Sequence, residues 1–511
     1  MLALGAVFLA AWNIRHPGLY YDELIFTNAS FLGADDYFIG CRLFGIPVLI
    51  MDYIGALKSW LYWPIFTIVP VNELTVRLPA ILLGVAGGTM VAVALGRMFG
   101  RSAAIFGTLL ILFDPSLLTH SRLDWGPTAL MFFFRGLLML SLANWILDSA
   151  PKWAWLALLS IILGVFDKLN FLWLAAAAVG ALVVAYPRRL RRFAMEHPRH
   201  SCLLFLLFGL FFVSAFWRAL NLSPNYGAPI KWDQRTGHVF DLLKLLLVGG
   251  GPLNFVSGNG MRLGVWVWPA LFLCGMAAIP GIGFLMRHPQ RRFLLFIFLW
   301  FTGTFLAFFA TPGATGYHHA AVLASFPQAM LAVPLALIYD AQGPSWAGFR
   351  RIALACTILA FVCLIIANVV CLHAFTLPTN PNWDQANAEA ARFALAHPER
   401  RYVTTDWGMG AQLFALSKSR LSVGDNWPSF VDEKAAVKFV SAISQNEDVD
   451  LLVRTEGSET FPATRRNLYA ALDALSITVI PVAEFTNAHG KVSIQVMRMK
   501  TPTPETLSSG R

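Results

Sequence analysis

Charge is scarce in this sequence. Asp, Glu, Lys and Arg make up 13% of 511 residues, against about 25% in an ordinary soluble domain. That shortage, with 57% hydrophobic residues and a mean hydropathy of +0.59, excludes a soluble enzyme. It also removes the nucleic-acid reading that a pI of about 9.4 would otherwise invite. Cysteine is sparse and poorly placed: Cys202, Cys274, Cys356, Cys363 and Cys371 lie inside apolar runs and Cys41 stands alone in a loop. Neither a disulfide framework nor a metal-ligand spacing results. No internal repeat or low-complexity segment stands out.

What the sequence has is one long apolar run after another. Runs bounded by charges and Pro or Gly predict a polytopic α-helical membrane protein of eleven spans, near 1–14, 78–96, 103–119, 127–147, 153–166, 169–186, 201–219, 263–286, 293–310, 320–338 and 352–374. The first run lacks the basic flank and cleavage site of a signal peptide and reads as a span. Connections 97–102, 148–152, 187–200, 287–292 and 339–351 hold 13 Lys/Arg in 44 residues, whereas the alternate set holds 10 in 124. The positive-inside rule makes the first set cytoplasmic. The long 15–77 and 220–262 connections, and everything after His373, are then expected outside. Amphipathic stretches in both long loops, with Trp60, Tyr62 and Trp63 in one and Phe240 to Val248 in the other, suit the interface plane and would roof a cavity open to the outer leaflet.

Composition shifts near residue 376. Residues 1–374 hold 25 Lys/Arg against 14 Asp/Glu, and 375–511 hold 14 against 15. The reading is therefore a membrane domain over 1–375 and a soluble α/β domain over 376–511, with short β-rich runs at 402–405, 421–423, 451–454, 477–482 and 492–499 among helical patterns. Gly408-Met409-Gly410 lacks the third glycine of a dinucleotide loop and reads as a tight strand-to-helix turn.

Polar residues near the hydrocarbon edge are costly unless they are paired or functional. Asp22 and Glu23 follow the first span closely, and as neighbours they should find different partners. Asp124 lies in a very short turn with Arg122. Arg77 stands directly before the second span, and Lys168 sits in a connection of almost no length. By themselves these residues are also explained as a solvated turn, a helix cap, a snorkelling arginine and an Asp167–Lys168 interfacial anchor. Taken together, carboxylates and fixed cations converge on one side of a bundle. That is the equipment for moving a glycosyl group off a lipid phosphate: cations hold the charge that develops on the departing phosphate, and a carboxylate takes the proton of the attacking hydroxyl. No Gly-rich phosphate cradle accompanies them, which argues against a nucleotide-sugar donor. Arg135, mid-span, is expected to pair with Asp114.

At these residues the chain resembles the GT-C superfamily of membrane glycosyltransferases, in its protein O-mannosyltransferase and lipid A aminoarabinose transferase branch. The resemblance rests on Asp22-Glu23, on Trp60-Leu61-Tyr62-Trp63-Pro64, on Val76-Arg77-Leu78-Pro79, on the Asp124 turn, on Phe166-Asp167-Lys168-Leu169-Asn170 and on Gly316-Tyr317-His318-His319. It implies a polyprenyl-phosphate sugar as donor, a hydroxyl of a lipid, glycan or protein as acceptor, catalysis on the extracytoplasmic face and inversion at the anomeric carbon. Asp22 is similar to the family's general base, with Glu23 its companion and Asp124 the second acid. Arg77, Lys168, Arg122, His318 and His319 would serve the donor phosphate. No cofactor is firmly implied; a divalent metal is left open, with Glu23 its ligand if one is bound. The bilayer is a partner and nucleic acid is not, and the location implied is a bacterial inner membrane. The rival from a different class is a transporter or flippase for a glycolipid or polyprenyl substrate; it would favour midplane polar residues in paired halves, and the acids here cluster at one surface.

Overall fold

The structure, a computed structural model, describes all residues except 32–38, 223–230, 259, 312, 422, 447 and 501–511. The chain divides into two compact units. One comprises Met1–Trp12, Gly40–Lys58 and Arg77–His373, the other Asn13–Ile39, Ser59–Val76 and Ala374–Arg511.

The first unit is a helical bundle. Among the described residues seven helices are long and apolar enough to cross a membrane, and up to ten spans result if each bent pair counts as one. This is a multi-pass membrane protein. All eleven apolar runs of the sequence fall on helices, but Leu2–Ala11 has 10 residues and Pro151–Asp167 has 17, so length and composition alone support fewer than eleven crossings. Three bends have local causes. Asp114 caps the second half of its pair by accepting the Ser116 amide at 3.0 Å, with Pro115 in the first helical turn, so Arg101–Leu112 and Pro115–Leu123 meet at 53°. Pro187 likewise ends Phe171–Ala185 and starts Pro187–Glu196 at 93°. Trp232–Leu247 and Gly250–Ser257 meet at 102° around Gly249. This last pair lies where the sequence suggested an amphipathic loop.

Helices pack closely where side chains vanish. A Cβ at Gly136 would overlap the backbone of Gly87, so Glu73–Phe99 and Thr128–Asp148 touch main chain to main chain. A small antiparallel sheet of β1 (Cys41–Leu43), β2 (Ile46–Met51) and β3 (Ile54–Gly55) belongs to the same unit. Arg135 donates to the carbonyls of Val322 and Ala324 at 3.1 and 2.6 Å, and Asp114, which caps Pro115–Leu123, lies within its electrostatic reach.

The second unit is built on a five-stranded sheet of β4 (Arg401–Thr404), β5 (Val423–Asp425), β6 (Val449–Arg454), β7 (Thr478–Thr486) and β8 (Val492–Lys500), in the order β5-β4-β6-β8-β7. β4 is parallel to β5 and β6, while β8 runs antiparallel to β6 and β7. Strand β6 is buried along its whole length, as expected of a central strand. Helices Glu433–Ile443 and Pro462–Ala474 pack on one cluster around Phe430, Leu451 and Leu468. Ala386–Ala396 and Met409–Leu416 contribute to another around Tyr402, Leu413 and Val496. Gly408, at φ +85°, turns the chain from β4 into Met409–Leu416.

Candidate functional site

In the membrane unit the polar residues gather where three short connections meet. The peptide of Lys168 pairs with Ile54 of β3, and the Leu169 amide donates to Tyr53 at 2.9 Å, so the sheet is fastened to the turn that follows Pro151–Asp167. That fastening brings Lys58, just beyond β3, into the bundle. Its ammonium lies 2.6 Å from Asp124 Oδ2, with 2% and 5% of the two side chains exposed. The other oxygen of Asp124 accepts the Ala129 amide at 2.8 Å and so satisfies an orphan N–H of Thr128–Asp148. Asp124 itself sits at φ 42° and closes Pro115–Leu123.

Lys168 donates to the carbonyl of Gly126 and is 2% exposed. Gly126 takes φ +66°, and a Cβ there would come 2.7 Å from the Lys168 ammonium and 3.1 Å from His318. Only glycine fits both the backbone and the space between these two side chains. His318 lies 4.8 Å from the ring of Trp125, which stacks on Phe255 at 4.0 Å. Asn254 donates to the hydroxyl of the neighbouring Tyr317 at 2.7 Å. Asp167 is fully buried within electrostatic reach of Asp124, Lys168 and Lys58, and neither of its oxygens has a hydrogen-bond partner among the described residues. His120 accompanies them, its Nδ1 meeting the Ser116 carbonyl at 2.9 Å.

Of the residues singled out in the sequence, Asp124, Lys168 and His318 thus stand together. One Nη of Arg122 donates to the carbonyls of Ala10 and Trp12 at 2.9 and 2.6 Å, closing the C-terminus of the first helix. His319 accepts the Gly316 amide at 3.2 Å and caps its own short helix. Arg77 is fully buried in the second turn of Glu73–Phe99. Lys58, His120 and Gly126 are not marked by the sequence, and Asp167 is marked only as an anchor beside Lys168.

Asp22 and Glu23 belong to the other unit, on helix Tyr21–Asn28. Glu23 is fully buried and accepts the Tyr20 amide at 3.2 Å, closing a capping box. Asp22 is half-buried beside Tyr20, whose hydroxyl is held well above its usual pKa by burial first and then by the Asp22 charge. Around them residues of the Ala374–Arg511 part of the same unit supply the support. Tyr20 stacks on Trp383 at 4.4 Å, Tyr21 meets Trp407 at 4.6 Å, Gln412 donates to the Leu19 carbonyl at 2.7 Å, and the Gly18 amide donates to Trp383 at 2.8 Å. Among the described residues no three His, Cys, Asp or Glu side chains are grouped to hold a metal ion.

No protein-family model matches the chain, and no curated protein does. Solved structures do. ArnT from Cupriavidus metallidurans bound to undecaprenyl phosphate superposes with a TM-score of 0.60 at 14% identity, over 97% of this chain and 96% of that one. The archaeal oligosaccharyltransferase AglB from Archaeoglobus fulgidus, in complex with an inhibitory peptide and a dolichol-phosphate, gives 0.51 at 14% identity over 89% and 69%. An Archaeoglobus fulgidus oligosaccharyltransferase in complex with Zn and sulfate gives 0.50 at 15% over 89% and 68%. The chain has the fold of the GT-C membrane glycosyltransferases.

Proposed function

We propose that the protein is an integral-membrane glycosyltransferase that moves a sugar from a polyprenyl-phosphate donor to a hydroxyl acceptor, with inversion, on the outer face of a bacterial inner membrane. The observation that carries this reading is the cluster of Lys58, Asp124, Asp167 and Lys168. Buried charges in a bilayer protein are expensive, and a bundle needing only stability would be served as well by apolar residues. Two proteins of the same fold are described with a polyprenyl or dolichyl phosphate bound, which agrees with such a donor.

In the proposed reaction the acceptor hydroxyl attacks the anomeric carbon from the face opposite the lipid phosphate. The bond from that carbon to the phosphate oxygen breaks, and the electron pair leaves with the phosphate. Lys168 and Arg77 stabilise the leaving charge. Asp22 takes the acceptor proton, and Glu23, through its capping bond, holds the helix that carries Asp22. Asp124 keeps Lys58 in place and with it the field around Lys168. No step here uses a metal ion. Within their shared unit, the C-terminal sheet region supports the Asp22 helix.

The test is donor binding. Charge-assisted hydrogen bonds to a phosphate contribute about 1.5–3 kcal/mol each, so Lys168→Ala and Arg77→Ala should each weaken the affinity for a radiolabelled polyprenyl-phosphate sugar by roughly ten- to a hundredfold. Unaltered binding in both folded variants would reduce them to structural cations.

A further inference from the structure

At the end of the bundle that carries the basic connections, helices Thr128–Asp148, Pro151–Asp167, Phe171–Ala185, Pro187–Glu196 and Pro198–Leu220 line an open cavity of about 470 Å³. Its lining is almost wholly apolar, with Leu142, Leu158, Leu182, Phe193 and Phe208 among the contributors. That volume is within the range of ordinary ligand sites. Two lining residues break the pattern. Trp145, 2% exposed, has its indole N–H buried without a partner among the described residues, and so does the hydroxyl of Ser201. Other helical serines of the bundle return their hydroxyls to a carbonyl one turn earlier, as Ser141, Ser160 and Ser257 do. Buried donors left without acceptors are costly and rare, so these two point to an acceptor that comes from outside the chain.

The surroundings say what kind. Pro187–Glu196 presents Leu190, Phe193 and Ala194 to the cavity and leaves Arg188, Arg191 and Arg192 exposed, the pattern of a helix lying in the membrane interface. On the opposite wall Pro198–Leu220 has only 6% of its apolar window buried by protein. An apolar slot open to lipid, two unpartnered donors and a row of arginines together match one class of molecule: apolar tail, ester or phosphate acceptors, negative head.

We propose that this cavity is a binding site for an anionic phospholipid of the leaflet that meets the basic connections. One acyl chain fills the cavity, the Trp145 N–H and the Ser201 hydroxyl donate to the glycerol-ester region, and Arg191 and Arg192 engage the headgroup. This site is distinct from the polar cluster around Lys168, and its occupancy is read without any transfer assay.

The experiment is native mass spectrometry of the full-length protein, stripped in detergent and then given equal amounts of phosphatidylglycerol and phosphatidylcholine. The expected result is one phosphatidylglycerol retained per chain under conditions that remove phosphatidylcholine. Ala154→Phe, which narrows the cavity, and the exposed pair Arg191→Gln/Arg192→Gln should each reduce that retention on the order of tenfold or more, as two arginines near an anionic headgroup imply. The arginine pair lies at the surface and remains decisive if the larger residue disturbs folding. Equal retention of both lipids, or wild-type retention of phosphatidylglycerol in the arginine pair, would overturn the site.

Discussion

Lys58 and Asp124, 2.6 Å apart and almost wholly enclosed, are charges whose halves should not be separable. Removing one partner strands the other as a buried charge, at a cost of about 3–5 kcal/mol, whereas replacing both with apolar or neutral groups of similar shape is often nearly neutral. Lys58→Met is therefore expected to lower the thermal midpoint in detergent sharply, and Lys58→Met/Asp124→Asn to recover most of the loss; a double variant no more stable than the single one would contradict the pairing. Asp124 and Lys168 stand out in the sequence because each falls on a connection too short to leave a charge in solvent. Lys58 does not, since a lysine at the edge of an amphipathic stretch is ordinary, and its partner is set by the register of a small sheet that exists only in the folded chain. An Asp167–Lys168 anchor is one explanation of that connection; in the structure Lys168 donates across to the Gly126 carbonyl, while Asp167 stays within its electrostatic reach. Arg122 stands beside a carboxylate in sequence, and in space one of its Nη atoms donates to the carbonyls of Ala10 and Trp12.

Strands β6 and β8 place Asp450 directly opposite Arg498, where cross-strand charges of opposite sign stabilise a sheet. Asp450 accepts from Arg498 at 2.9 and 3.0 Å and from Arg400 at 2.7 and 3.1 Å. Burial raises the pKa of this carboxyl, but hydrogen bonds from Arg498 and then Arg400 outweigh it and hold the carboxyl below its usual value of 3.8. A folded-state value lower than the unfolded one means that the pair stabilises above that pH and that the contribution disappears as pH falls through the folded value. Asp450→Asn should accordingly lower the thermal midpoint at pH 7, and the gap to wild type should close under strongly acidic conditions. A gap of equal size at both would show that the carboxylate charge is irrelevant. At this scale the sequence was informative where one signal dominates: five β-rich runs became β4 to β8, since alternation and turn residues agree there. It was less informative about the bends. The run 103–119 is continuous in hydropathy, and only Asp114-Pro115 marks the 53° break, because capping chemistry does not register in an apolar average.

For the whole molecule, the apolar runs and the uneven placement of Lys and Arg were enough to read a multi-pass helical protein with a C-terminal α/β sheet, since a bilayer leaves few solutions to backbone hydrogen bonding. That stretches of the first long connection share a compact unit with the C-terminal domain depends on contacts such as Tyr20 on Trp383 and Gln412 on Leu19, which span hundreds of residues and leave no local pattern. The orientation proposed from the basic connections is checked with a cysteine at His489, an exposed position in the turn between β7 and β8, after Cys41 and Cys202, both exposed, are changed to Ser. Reaction with an impermeant thiol reagent in intact cells is expected; labelling only after lysis would reverse the topology. The central claim, transfer from a lipid phosphate with Asp22 as base, is tested most directly by turnover. Purified full-length protein and its Asp22→Asn variant are given a panel of radiolabelled polyprenyl-phosphate sugars at saturating donor, with thermal unfolding followed alongside. Wild type should release polyprenyl phosphate from one of them in the presence of acceptor, and Asp22→Asn should fold and bind donor but lose roughly 10²–10⁴ in rate. A folded Asp22→Asn protein retaining more than about a tenth of wild-type turnover, against that expected loss, would contradict the account.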